Sequence, residues 1–249
     1  MKKERNTYPI EANFEIKVDA TNSLNATTNF ITSFFKNTFE LFTVPVKPYI
    51  YKLIKENEYK IKKIDEELAK KYEKIPSENK IKPRWSIIGP SFDGLIYNIN
   101  EETIKKMFIN LLINEMDDRK QNKISPAYVQ QIKELSHEDA KLLFEYSNIK
   151  NKIKELYILK IKNLNNYYLI YEEDNGNTDY LPISKLSLDN LCRMRFVREN
   201  NLFEYEIDDN FKNYTNLLNY LSNNNIQNCS IESIEFTEFG NNFINISCL

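Results

Sequence analysis

The sequence predicts a mainly α-helical N-terminal part with a long charged helix, followed by a small α+β C-terminal module. Three observations carry this reading. Between Lys82 and Tyr146 four short amphipathic segments follow one another, each with its own start signal. Upstream, a Lys/Glu-rich stretch from Tyr49 to about Lys74 keeps its apolar residues three and four apart, the spacing of one helix face. Beyond Asn148 the texture changes to short apolar and aromatic runs separated by Asn- and Gly-bearing turns, as strands require. Four glycines in 249 residues, against abundant Lys and Glu, also favour helix. A chain of this length forms one large or two modest domains and buries roughly 70–75% of its unfolded surface. The expected division is an arm over 1–46, a helical domain over 47–150 and the module over 151–249.

In the arm, Glu15-Ile16-Lys17-Val18-Asp19 alternates like a short strand or an extended piece. The sequence then becomes rich in phenylalanine, with Phe30, Phe34, Phe35, Phe39 and Phe42 beside Leu24, Ile31 and Leu41. Asn22, Asn25, Asn29, Asn37 and Glu40 are too many polar groups for a spanning helix. Two placements follow: a helix docked on the protein core, or one lying in a membrane interface. Interfacial helices carry several Lys or Arg on the polar face, and this one has only Lys36, which favours docking on the core.

Pro45 and Pro48 separate the arm from the long charged helix. There Ile54, Asn57, Ile61, Ile64 and Leu68 recur at steps of three and four, a heptad-like seam in which a polar Asn57 would fix register. The same chain could cover this seam with the Phe-rich arm. Otherwise a second copy would cover it in a homodimer, most simply as a C2 antiparallel pair, and the Lys/Glu-flanked seam favours that dimer. Residues 47–74 hold nine lysines against six acids, an excess that does not by itself specify phosphate binding.

The four central helices come next. Pro90 is placed to open the first, where its missing N–H costs nothing, and Phe92, Leu95, Ile96 and Ile99 share its inner face. Asn100 suits an N-cap, with Glu101 and Glu102 at the positive end of the second helix dipole. Ile104, Met107, Phe108, Leu111 and Leu112 form the buried stripe of that helix, and Lys105 faces outward. Ser125-Pro126 starts the third, with Tyr128, Val129 and Ile132 inward. Ser136-His137-Glu138-Asp139 is a capping-box-like start for the fourth, which carries Leu142, Leu143 and Tyr146.

Three stretches of this region and of the tail resemble the abortive infection alpha family of bacterial proteins. They are EETIKKMFINLLINEMD, SPAYVQQIKELSHEDAKLL and IEFTEFGNNFINISC. Phe108 to Leu112, Ala127-Tyr128-Val129 and Leu135 to Ala140 occupy the places of the family's helix patterns. His137-Glu138 departs from the usual residues, and Tyr128 stands for the usual Phe. The resemblance runs from about Ile61 to the C-terminus and holds no catalytic motif. It implies a role in phage defence and states no reaction.

In the C-terminal module Leu156 to Ile161 and Tyr167 to Tyr171 read as strands about a turn at 163–166, and Glu172 to Asp179 as a polar loop. Pro182-Ile183-Ser184 opens a helix bearing Leu186, Leu188, Leu191 and Met194, and Phe196-Val197 starts an extended piece. Tyr214, Leu217, Leu218 and Leu221 mark another helix. Ser230 to Phe236 is strand-like, and Thr237-Glu238-Phe239-Gly240 starts the last helix. Helix, extended piece, strand and helix in this order resemble a winged-helix module, whose helix before Arg-x-x-Phe-Val is the one able to enter a major groove. Lys185, Arg193, Arg195 and Arg198 are the candidate nucleic-acid contacts. Residues 200–249 oppose them with seven acids against Lys212 alone, and duplex affinity rests mainly on phosphate neutralisation. A protein contact is therefore the favoured use of the module.

Nothing in the composition points to catalysis or to a cofactor. A net charge of −2 gives no global pull towards nucleic acid or anionic lipid. Glu115, Asp117, Asp118 and Arg119 read as a solvated helix end rather than a metal site. His137, the single histidine, stands apart from any serine or metal-binding triad. Cys192, Cys229 and Cys248 lack zinc spacing and, being odd in number, suit a reduced cytoplasmic setting. The polar start of the chain predicts no secretory leader. The functional expectation is a non-enzymatic phage-defence protein that binds or senses a protein partner. A nucleic-acid binder and a membrane-acting effector are the alternatives.

Overall fold

The computed structural model describes residues 56–161, 166–173, 178–206, 223 and 229–249. Phe30, Phe34, Phe35, Phe39, Phe42, Ile54 and the expected helix at Tyr214–Leu221 lie outside the described residues. Six helices come first: α1 (Glu58–Glu73), α2 (Trp85–Tyr97), α3 (Glu102–Glu115), α4 (Asp118–Gln121), α5 (Ala127–Glu134) and α6 (His137–Ile149). Strands β1 (Ile153–Ile161), β2 (Asn166–Glu173) and β3 (Thr178–Ile183) follow. Helix α7 (Lys185–Arg193) leads to β4 (Val197–Glu206) and β5 (Cys229–Phe236), and α8 (Glu238–Ser247) comes last.

Helix α3 is the axis of the molecule. Every residue from Met107 to Asp117 is buried, so the helix is covered on all sides rather than along the single inner stripe expected from the sequence, with Asn110, Asn114, Glu115 and Asp117 among the covered residues. Helices α2, α8, α1, α6 and α5 pack around it. Gly94 of α2 makes one approach close: a Cβ there would fall 2.4 Å from the Phe108 ring. The capping box of α6 forms as expected, the Ser136 hydroxyl accepting from the Asp139 amide at 3.1 Å and the Asp139 carboxylate from the Ser136 amide at 3.2 Å.

Two helix starts differ from expectation. Proline 90 lies inside α2, which begins five residues earlier at Trp85. The residue before a proline normally leaves the helical region because the ring meets its Cβ, but that residue is Gly89, which has no Cβ and open space around it. Asn100 does not cap α3. Glu101 takes the N-cap position, and the Asn100 side chain accepts from the Lys60 ammonium.

The sheet is antiparallel throughout, in the order β3-β2-β1-β5-β4. Helix α7 connects its two parts. Five strands make the module larger than the few strands expected. Strand β3 occupies part of the stretch read as a polar loop and ends beyond it: Pro182 pairs opposite Tyr168, a place open to proline because β3 is an edge. Strand β1 is central, with Ile158 opposite Leu169 and Leu156 opposite Tyr171. These four residues join the same hydrophobic cluster as α3. Tyr146 of α6 stacks on Phe236 of β5 at 3.8 Å between ring centres, and burial pushes its phenol up to about 12. The change from helices to strands near residue 150 therefore lies within one continuous core.

Helix α7 ends in a Schellman arrangement. The Arg195 amide donates to the Cys192 carbonyl and the Phe196 amide to the Leu191 carbonyl, both at 2.9 Å, which satisfies two of the helix's last carbonyls. This puts Arg195 at φ 61°, a conformation that favours glycine. Arg195→Gly is expected to leave stability unchanged or raise it by up to about 1 kcal/mol, read as an equal or higher urea midpoint.

The turn after Arg195 docks directly on α8. The Phe196 carbonyl accepts from the Thr237 amide at 2.9 Å, and the Thr237 hydroxyl donates to the Arg195 carbonyl at 2.6 Å while capping the Gly240 amide. A Cβ on Gly240 would lie 2.3 Å from the Phe196 carbonyl oxygen. That neighbour is backbone and cannot swing away. Gly240→Ala is expected to cost about 1–3 kcal/mol despite alanine's better helix propensity, visible as a lowered midpoint at constant m value.

Candidate functional site

The outward face of α7 is one candidate surface. Ser187, Leu188, Leu191 and Met194 turn inward, while Lys185, Leu186, Asp189 and Arg193 are exposed. Ser184 caps the helix by accepting from the Ser187 amide at 3.0 Å. Asn190 ties it to α6 by donating to Asp139 at 3.3 Å. Of the four cations singled out from the sequence, two are neutralised nearby. Arg193 donates to Glu134 at 3.0 Å, and this bond, after the one from Gln130, holds the Glu134 carboxyl below its usual range. Arg198 pairs with Glu235 on β5. Lys185 and Arg195 are exposed, so half of the proposed phosphate-binding charge is already matched. Leu186 is the most exposed of the large apolar residues described, at 71%.

The acids at the end of α3 are not a solvated edge. Glu115 has a fully buried side chain, and Asp117 is buried too. Arg84 meets Glu115 with its backbone amide at 2.9 Å, its Nε at 2.7 Å and one terminal nitrogen at 2.8 Å. The same nitrogen also donates to the carbonyls of Gln121 and Ile124, each at 3.0 Å. The Glu115 carboxylate raises the Arg84 pKa above its ordinary value. Asp117 caps α4 and binds the Arg119 guanidinium, which holds its carboxyl below the usual range. Both carboxylates are thus committed to arginines and backbone amides. Asp118 is exposed and accepts from Asn79 at 2.8 Å.

Just before these acids on α3, Asn110 and Asn114 reach the end of α8. Asn110 donates to the Ser247 carbonyl at 2.9 Å and Asn114 to the Ile246 carbonyl at 2.7 Å, two groups that a helix C-terminus leaves without partners. Their own oxygens accept from Lys71 at 2.7 Å and Lys120 at 2.9 Å, which places positive charge at the negative pole of α8. This network was missed in the sequence. Its trace there is two asparagines four residues apart inside an apolar helix, a spacing that puts both on one face. Cys248, just beyond α8, is buried, and burial pushes its thiol up to about 12.

Part of the seam suggested for self-association is covered from within the chain, Ile54 lying outside the described residues. Ile64 and Leu68 are buried in the common core and Ile61 packs against it, on the side where α1 meets α3. Asn57 stands at the N-cap position of α1, its carbonyl accepting from the Ile61 amide at 2.9 Å. Ile64 and Leu68 therefore need no second copy to cover them. Among the described residues no helix is long and apolar enough to cross a membrane, and no three His, Cys, Asp or Glu side chains gather as a metal site would require.

Fold and polar network together define a helix-rich α+β protein in which five helices pack around one buried helix and an antiparallel sheet shares their core. A family model for abortive infection alpha matches residues 56–247, a span that runs from α1 to the end of α8. The chain belongs to the abortive infection alpha family. No curated relative and no solved structure matches it.

Proposed function

We propose that the protein serves phage defence of the abortive infection type by binding or sensing a partner in the cytoplasm, without catalysing a reaction. Family membership supports the defence role. The partner proposed is a protein, and the surface is the outer face of α7. The observation that carries this choice is Leu186, 71% exposed amid Lys185, Asp189 and Arg193. An exposed leucine among charges of both signs matches a protein surface with an apolar centre and a polar rim. It matches a phosphate backbone poorly, because Glu134 and Glu235 already hold two of the nearby arginines.

A plaque assay on bacteria expressing the protein tests the proposal. Leu186→Asp removes the apolar centre from a position 71% exposed and should leave the urea midpoint within about 0.5 kcal/mol of the parent. Protection against a phage that the parent restricts is expected to fall with this variant, together with co-purification of the infection-dependent partner. Full protection by Leu186→Asp would remove α7 as the recognition surface.

A further inference from the structure

Positive charge gathers at one end of the helical bundle, on elements other than α7. Residues 70–84 carry Lys70, Lys71, Lys74, Lys80, Lys82 and Arg84 against Glu73 and Glu78, in a chain whose formal net charge is −2. The fold brings a second basic stretch beside them. A bridge between Lys80 and Asp117 and a 3.1 Å bond from the Ile81 amide to the Met116 carbonyl align this segment with the end of α3. Gln121 donates to the Lys82 carbonyl at 3.2 Å, and Arg84 to the carbonyls of Gln121 and Ile124. Lys82 and Lys123 therefore stand on adjoining stretches of backbone.

These cations fall into two groups. Arg84, Lys71, Arg119 and Lys120 are bound by the side chains of Glu115, Asn110, Asp117 and Asn114, and Lys80 lies over the Tyr72 ring. Lys70, Lys74, Lys82 and Lys123 are exposed and have no side-chain hydrogen bond or ion pair among the described residues. Next in the chain to Arg84 is Trp85, the first residue of α2 and 44% exposed. Unmatched lysines with an accessible indole are the composition of a surface that tracks a phosphate backbone and stacks its bases.

We propose that this end of the bundle binds single-stranded nucleic acid. Lys70, Lys74, Lys82 and Lys123 meet the phosphates, and Trp85 stacks on an unpaired base. A duplex fits less well, because its bases are already stacked on one another and offer no free face to an indole. Glu73, Glu78 and Asp118 border the patch and limit how many phosphates it accepts.

Fluorescence anisotropy of the full chain with labelled single strands of about 20 nucleotides, RNA and DNA in separate arms, and with the matching duplex tests this. Single strands are expected to bind more tightly than the duplex. Affinity should fall with salt at a log–log slope of about −3 if four phosphates are neutralised at about 0.7 each. The RNA and DNA arms report which sugar is preferred. The double variant Lys82→Glu/Lys123→Glu should weaken binding at least tenfold, and Trp85→Ala by about tenfold, with urea midpoints near the parent's. Lys185→Glu on α7 should leave binding unchanged. Absence of binding at about 50 mM salt, a double variant that binds like the parent, or tighter duplex binding would overturn the proposal. None of these readouts depends on phage protection, so the outcome is separate from that of α7.

Discussion

Replacing Arg84 with alanine is expected to lower stability by about 3 kcal/mol, because it leaves the Glu115 carboxylate without its counter-charge. Glu115 is fully buried, and removing one partner of a buried pair costs roughly 3–5 kcal/mol. The lower end applies because the Arg84 side chain is 40% exposed and water reaches part of the pair. The variant also frees the carbonyls of Gln121 and Ile124, which the same guanidinium holds. Arg84→Lys should recover little, since an ammonium cannot make the two-pronged contact with Glu115 and still reach both carbonyls. Urea titrations of the parent and the two variants decide this. A loss under about 1 kcal/mol for Arg84→Ala would mean that Glu115 finds water or another donor.

Leu111→Ala should cost about 2–5 kcal/mol, the range for truncating a buried leucine. Leu111 is completely covered on a helix surrounded by five others, so little in the neighbourhood can collapse into the space. Lys105→Ala, six residues earlier on the same helix, should cost well under 1 kcal/mol. Its ammonium pairs with Glu102 in the first turn of α3, and such surface pairs contribute little. Equal urea midpoints for the two variants would contradict the position of α3 at the centre of the core.

The helical half was legible because its signals are local. The apolar stripe of α3, the inward Tyr128, Val129 and Ile132 of α5, and the capping box at Ser136 follow from spacing and end chemistry alone, and each appears in the fold. Proline 90 misled because its neighbour Gly89 has no Cβ to meet the ring, which removes one of the costs of a proline inside a helix. Strand β3 was lost for a related reason: polar, proline-bearing sequence reads as loop unless an edge position is known. The surfaces were harder. Arg84 and Glu115, or Asn114 and Ile246, meet only after the chain has folded back on itself, and no periodicity records such pairings. Leu186 lies two residues before Leu188, which by helical spacing puts it on the other side of α7, and the fold turns Leu188 and Leu191 to the core and leaves Leu186 outside.

The asparagine contacts between α3 and α8 are expected to close late in folding. They join residues 137 and 132 positions apart in the chain, among the most distant links that fold must close. Helices α2 to α6 can assemble from near neighbours, whereas long-range closures slow a folding reaction. Until α8 arrives, the flank of α3 that faces it lacks its apolar cover, and Asn110 and Asn114 have not met their carbonyls. A partly folded chain of this kind exposes apolar surface, the state that aggregates or is taken up by chaperones. Helix content should therefore return early in refolding, and protection of the α3 amides from hydrogen exchange late.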